Sequence, residues 1–269
     1  MNAISIRRLT EIILGSIVLR RMLPQAAGGG VIFVSGKVGG LRYLLKPNDQ
    51  WDSELLNIAS RLVKVSDCVW DIGANVGLFS KAAAHHSGPT GAVLSVEADF
   101  DAVTLLNRTC GIVSPTDARI TVLPVAISDS DAFIRFAIAV RSRSANSIEG
   151  FGSTQTGGTA EIRTLPCVTL DNLLNHFPAP AVVKIDVEGA ELSALRGAEK
   201  LLSQVRPVIY CEITSELSDQ MTQLLQSHNY RLWDGSEFNG TSSKEISICT
   251  WNTVAIPVEK VSEYSNERR

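Results

Sequence analysis

From Cys68 to Ser227, short apolar runs alternate with amphipathic stretches, and this alternation restricts the fold more than any other feature of the chain. Cys68 to Ile72, Ala92 to Glu97, Ile120 to Ile127, Val182 to Val187 and Val208 to Ile213 have the length and apolar continuity of buried strands. Between them, Leu78 to Ala84, Phe100 to Thr109, Ala190 to Leu202 and Asp219 to Ser227 read as helices. Strands alternating with helices predict an α/β fold, a mostly parallel sheet with helices on both faces. Thr253 to Val258 is a last strand with no helix after it, expected to return antiparallel at or near the sheet edge.

The flanking segments divide the chain into an extension (1–50), a main domain (51–260) and a tail expected to fray (261–269). In the extension, Arg7 and Arg8 precede the apolar stretch Ile12 to Leu19, and Arg20 and Arg21 follow it. That stretch is too short to span a bilayer. Glu11 at its border and arginines where a cleavage region would begin argue against a signal peptide. A helix is expected, docked on the domain or a partner, with peripheral membrane contact confined to residues 4–21. Ala27 to Gly30 reads as a linker, and Val31 to Val34 with Leu41 to Leu45 as a small hairpin. Asp52 to Val63 reads as an amphipathic helix. Later, Ala132 to Val140 and Glu161 to Val168 form a predicted hairpin around the polar loop Ser142 to Thr159.

A formal net charge of -3 argues against a nucleic-acid partner, which calls for a strongly basic face. Five cysteines with no C-x-x-C pair suit scattered thiols in a reducing cytoplasm. Oligomeric state is not legible.

In an open α/β sheet, ligands bind outside the carboxyl ends of the strands. The first strand of the alternating region runs into Asp71-Ile72-Gly73-Ala74-Asn75-Val76-Gly77. Glycines allow positive φ and close approach of backbone to a ligand. A carboxylate at the strand end, Asp71, suits an amine or hydroxyl. A dinucleotide fingerprint requires G-x-G-x-x-G, and Asn75 stands where its second glycine would be. Glu97 ends the second strand, where an acid can hold ribose hydroxyls. Ala126, after the third, is expected against an adenine ring.

A second motif completes the pattern: Val183-Lys184-Ile185-Asp186-Val187-Glu188-Gly189-Ala190-Glu191, then Leu195-Arg196-Gly197-Ala198. With Val69 to Ser80 it closely resembles the FkbM family of S-adenosylmethionine-dependent methyltransferases, over roughly Asp52 to Ile213. The resemblance implies a class I methyltransferase (Rossmann-like) fold, a seven-stranded sheet with one antiparallel strand. It implies S-adenosylmethionine as cofactor and methyl transfer, usually to a hydroxyl of a sugar or other small metabolite. Cofactor contacts carry over to Asp71, Gly73, Ala74, Asn75, Gly77, Glu97, Ala126 and Asp186. Ala98 stands where the family commonly has proline, and Thr214 where asparagine is common; both departures bear on the acceptor side.

An alcohol acceptor needs a base or a metal to manage its proton. His85, His86, His176 and His228 fall at the far end of the predicted sheet. Asp186, Glu188 and Glu191 follow the fourth strand, and Glu212 ends the fifth. Carboxylates at adjacent strand ends could supply a base or hold a divalent cation. Glu191 in the first turn of a helix is expected to serve the helix dipole. Lys184, inside an apolar strand, shares a face with Asp186 by the two-residue period. A buried lysine is costly unless paired, so an ion pair with Asp186 or Glu212 is expected. Asp186, Glu212 and Lys184 are the candidate catalytic residues. The rival readings are a non-catalytic S-adenosylmethionine-binding or interaction protein, and a nucleic-acid or protein methyltransferase. No basic stripe or base-handling motif supports the latter.

Overall fold

The computed structural model describes residues 17–36, 38, 51–139, 146–151 and 158–264. The chain opens with strands β1 (Val18–Met22) and β2 (Val31–Ser35), then helix α1 (Ser53–Leu62). Next come β3 (Cys68–Ile72), α2 (Leu78–Ser87), β4 (Ala92–Val96), α3 (Phe100–Cys110), β5 (Arg119–Leu123) and β6 (Ala126–Ile127). A three-stranded excursion follows: β7 (Ala132–Ala139), β8 (Ser147–Ile148) and β9 (Thr159–Val168). The remainder comprises α4 (Leu170–Leu173), β10 (Val182–Ile185), α5 (Glu191–Arg196), β11 (Val208–Glu212), α6 (Ser218–Ser227), β12 (Tyr230–Asp234), β13 (Glu245–Ile246) and β14 (Asn252–Pro257).

The main sheet has the order β13-β12-β14-β11-β10-β3-β4-β5. β11, β10, β3, β4 and β5 pair in parallel, and β14 lies antiparallel between β11 and β12. This is an eight-stranded mixed sheet rather than the seven implied by resemblance; the addition is the two-residue edge strand β13. The returning strand β14 is antiparallel to β11, as expected, and lies near the edge with β12 and the short β13 outside it. β12, which the alternating pattern did not single out, pairs along its length with β14.

Alternate residues of the central strands feed two cores, as the period of two requires. Val69, Val182, Val208 and Tyr210 face the core shared with α1 and α2. Trp70, Val183, Ile185, Ile209 and Cys211 face the one shared with α5 and α6. The same alternation puts Asp71 and Lys184 on the first face, and the β10–β3 register places them directly opposite one another.

Four expectations are corrected. Residues 18–22 are a strand, not the end of a helix: β1 pairs antiparallel with β2 from Val18↔Ser35 to Met22↔Val31. An apolar run flanked by arginines carries no period, so the neighbouring strand decides its state. The hairpin partner of Val31 to Val34 is therefore β1; Leu41 to Leu45 lies outside the described residues, as does the N-terminal part of the expected helix, residues 1–16. The tail does not fray from 261: Val258–Tyr264 is a 3₁₀ helix, and the buried Tyr264 hydroxyl donates to the Leu62 carbonyl, 3.4 Å. The predicted helix Ala190 to Leu202 is interrupted at Gly197, where a Cβ would lie 2.5 Å from the Ser128 carbonyl oxygen. The hairpin over residues 132–168 forms as expected between β7 and β9. Among the described residues, no helix is long and apolar enough to cross a membrane.

Candidate functional site

Because β3, β4, β10 and β11 run in parallel, their carboxyl ends open on the same edge, and a cleft of about 630 Å³ lies there. Gly73, Ala74 and Asn75 line it after β3, Glu97 after β4, Asp186 and Glu188 after β10, and Glu212 at the end of β11. Ala126 and Ile127 form another wall, and Phe136, Asn146 and Ile148 reach it from the excursion. None of the four histidines lines it.

The loop after β3 is braced to the end of β4. The amides of Gly73 and Ala74 both donate to the Val96 carbonyl, each at 2.9 Å. The Asn75 amide donates to Glu97 Oε2, 2.7 Å, and the Asp99 amide to Glu97 Oε1, 2.8 Å. Gly73 has φ +79°, and a Cβ there would overlap the Asp186 carbonyl oxygen, so only glycine lets β3 and the β10 loop approach this closely. Gly77, with φ +91°, starts α2; it packs against Leu106 and does not line the cleft.

Asp71 is not where a direct contact would place it. Its side chain has 0% exposure and is absent from the cleft wall. Ser80 Oγ donates to its Oδ2 at 2.5 Å, Ser95 Oγ donates to Ser80 Oγ at 2.8 Å, and Lys184 Nζ lies 3.4 Å from its Oδ1. The correction follows from β pairing: register turns this carboxylate toward the neighbouring strand, where it fixes Lys184.

Lys184 is buried, and its Nζ also stands 3.4 Å from Asp186 Oδ2 and donates to the Gly73 carbonyl at 2.7 Å. The expected pair with Asp186 is present, and Asp71 is an unanticipated second partner. Burial alone would lower the lysine pKa, but Asp186, Asp71 and Glu212 together hold it above the ordinary value. The lysine thus stays charged and ties both loops together.

Glu97 is pushed up to about 7, chiefly by burial, against the opposing hydrogen bonds from the Asp99 and Asn75 amides. Glu188 is pushed up to about 8, first by burial and then by Asp186, Glu212 and Glu191. The sequence named Glu188 among the strand-end acids that could supply a base, but not among the catalytic candidates Asp186, Glu212 and Lys184. Asn146 was also missed: its Nδ2 donates to Asp99 Oδ2, 2.9 Å, which holds the described part of the 142–159 loop at the cleft. Glu191 stays outside the cleft wall, as its helix-terminal reading implied, and its Oε1 accepts from the Val187 and Gly189 amides at 3.0 Å each.

The site fits an adenosine-bearing cofactor. Each Glu97 oxygen accepts one backbone amide and keeps lone-pair capacity for the hydroxyls of a ribose. Asn75 Oδ1 is buried with no hydrogen-bond partner in the protein and belongs to a residue on the cleft wall. Ala126 and Ile127 supply an apolar surface for a base. The carboxylates are not arranged as a cation cage: among the described residues, no three His, Cys, Asp or Glu side chains are grouped to hold a metal ion.

Comparisons with known proteins bear on the same segment. The sequence profile of the methyltransferase FkbM domain matches residues 71–232. A search of curated proteins finds no match. Similar solved structures include a methyltransferase FkbM from Methylobacillus flagellatus KT, with 17% identity, 75% of this chain and 52% of that chain covered, and a TM-score of 0.47. A precorrin-6y C5,15-methyltransferase from Geobacter metallireducens GS-15 shares 14% identity over 76% of this chain and 87% of that one, TM-score 0.44. A SAM-dependent O-methyltransferase from Thermotoga maritima shares 14% identity over 77% and 66%, TM-score 0.43.

Proposed function

Since this chain belongs to the FkbM methyltransferase family, matched across residues 71–232, we propose that it transfers a methyl group from S-adenosylmethionine to a hydroxyl oxygen of a small-molecule acceptor, a sugar or another metabolite. The observation that carries this reading is the single cleft with two chemically distinct ends. Glu97, Asn75 and Ala126 form an end suited to an adenosine; Glu188 and Glu212 form an acidic end suited to a hydroxylated acceptor.

Bound at the first end, S-adenosylmethionine would supply a methyl group activated on a sulfonium. The protein's part is largely alignment, since an in-line displacement depends on holding nucleophile and carbon in near-attack geometry. Asp186, fixed by Lys184, lines the cleft and suits the cofactor's amino group. Glu212 faces the acceptor side and can accept from a hydroxyl, orienting its oxygen. Phe136 and Ile148 of the excursion strands also line the cleft.

The test is incubation of the protein with methyl-labelled S-adenosylmethionine and a panel of sugars and hydroxylated metabolites, followed by mass spectrometry. Label in an ether product supports the reading. Label on nitrogen or carbon only would replace it with a different transfer.

A further inference from the structure

The loop after β10 carries a non-glycine residue in a backbone conformation that disfavours a side chain. Glu188 has φ +54°, in the left-handed region that a side chain with Cβ disfavours, and the glycine that would adopt it without strain is the next residue, Gly189, itself at φ +99°. The strain is held from below. Glu191, 2% exposed, accepts from the Val187 and Gly189 amides on either side of Glu188, and the Asp186 amide donates to the Ile72 carbonyl at 3.0 Å. The result is a clamped turn that presents one carboxylate to the cleft wall.

We propose that Glu188 is the catalytic base that accepts the proton of the acceptor hydroxyl, and that Glu191 positions it. This rests on the methyl-transfer reading of the cleft. As the hydroxyl oxygen forms its bond to the methyl carbon, the carbon–sulfur bond breaks with its electron pair remaining on sulfur. The O–H pair stays on oxygen, and the proton passes to a Glu188 oxygen. The groups facing Glu188 suit this task. Asp186, Glu212 and Glu191 raise its proton affinity beyond the effect of burial and Lys184 opposes them; the outcome, about 8, makes it basic enough to take a proton, with the ionised form that can do so growing as pH rises through that value. Asp186 is tied to Lys184 and is the weaker candidate for that reason.

Two variants separate a base from a merely strained loop residue. Glu188→Gly removes strain and carboxylate together, so its Tm should rise whichever role is correct. With labelled S-adenosylmethionine and a pool of neutral monosaccharides, the proposal expects transfer to fall at least about 100-fold in both Glu188→Gly and Glu188→Gln. Calorimetric binding of S-adenosylhomocysteine should change by less than about threefold. Wild-type transfer by either variant overturns the proposal. A readout independent of any acceptor is the carboxyl signal of Glu188 in 13C-glutamate-labelled protein, assigned by its loss in Glu188→Gln. A midpoint near 8 is expected, and a midpoint in the ordinary range for glutamate overturns it. Failure of the wild type to bind S-adenosylhomocysteine would instead count against the methyl-transfer reading itself.

Discussion

Two loops leave adjacent strands at the same edge of the sheet and differ in how their carboxylates are held, although each carries a non-glycine residue at positive φ, Asn75 and Glu188. The loop after β3 is braced by fixed partners: Asp71, at the end of the strand, lies against Ser80 and Lys184, and Glu97, after β4, accepts from the Asn75 and Asp99 amides. The loop after β10 crowds Asp186 and Glu188 beside Glu212, with Lys184 as the balancing cation among the described residues, and holds Glu188 at positive φ. Hydrogen bonds from backbone amides give rigidity, and the unpartnered Asn75 Oδ1 leaves an acceptor for a ligand, which suits a cofactor held the same way each turnover. Crowded carboxylates on a strained backbone keep a group poised to change protonation. On the proposed function, the contrast suits the first loop to binding and the second to chemistry.

The largest expected effect comes where the two loops touch. Gly73→Ala would drive a Cβ into the Asp186 carbonyl at a φ alanine disfavours, with no flexible neighbour to yield. A loss of about 4 kcal/mol or more is expected in urea unfolding; a loss below about 1 kcal/mol would show that the loops are not locked together. Lys184→Met comes next. It strands Asp71, which has no route to solvent, beside Asp186, and about 3 kcal/mol is expected to be lost. Unchanged stability would mean that the lysine orients the acids without stabilising them.

Glu97→Gln probes the first loop alone. An amide NH2 would face one of the two backbone donors that the carboxylate now accepts. S-adenosylhomocysteine affinity should fall roughly 10- to 100-fold, corresponding to about 1.5–3 kcal/mol for a charged hydrogen bond. The wild-type affinity should also weaken as pH is lowered through about 7, where Glu97 takes up its proton and loses acceptor capacity; the variant's affinity should be flat over the same range.

The smallest effect concerns the second loop. Glu188 has a folded pKa of about 8 against an ordinary value of 4.5, so the folded protein binds the proton more tightly than the unfolded chain. Stability from this group is therefore full below about pH 4.5 and declines as pH rises toward 8. Glu188→Gln, which carries no such charge, should gain in Tm relative to wild type as pH increases across that window. A constant difference would show that the carboxylate is not crowded.

Much of this arrangement was legible in the chain. The strand–helix alternation, the glycine loop, Glu97 and the Lys184–Asp186 pair all follow from local period and from the cost of burying charge. What was not legible depends on register and tertiary pairing. Asp71 looked like a ligand contact because it sits at a strand end; only the β3–β10 register turns it onto Lys184. Val18–Met22 became a strand because β2 lies beside it. Glu188 could be seen as an acid, but its strain is a property of backbone angles held by Glu191, and Asn146 reaches Asp99 across 47 positions of sequence.

The claim underlying all of these assignments is that the cleft is an S-adenosylmethionine site with Glu97 at its ribose end. Titration calorimetry with S-adenosylhomocysteine, at pH 8 and at pH 6, tests it most directly. One binding site per chain is expected, with weaker affinity at pH 6. Absence of binding heat at both values, with no shift in Tm on adding the ligand, would contradict it.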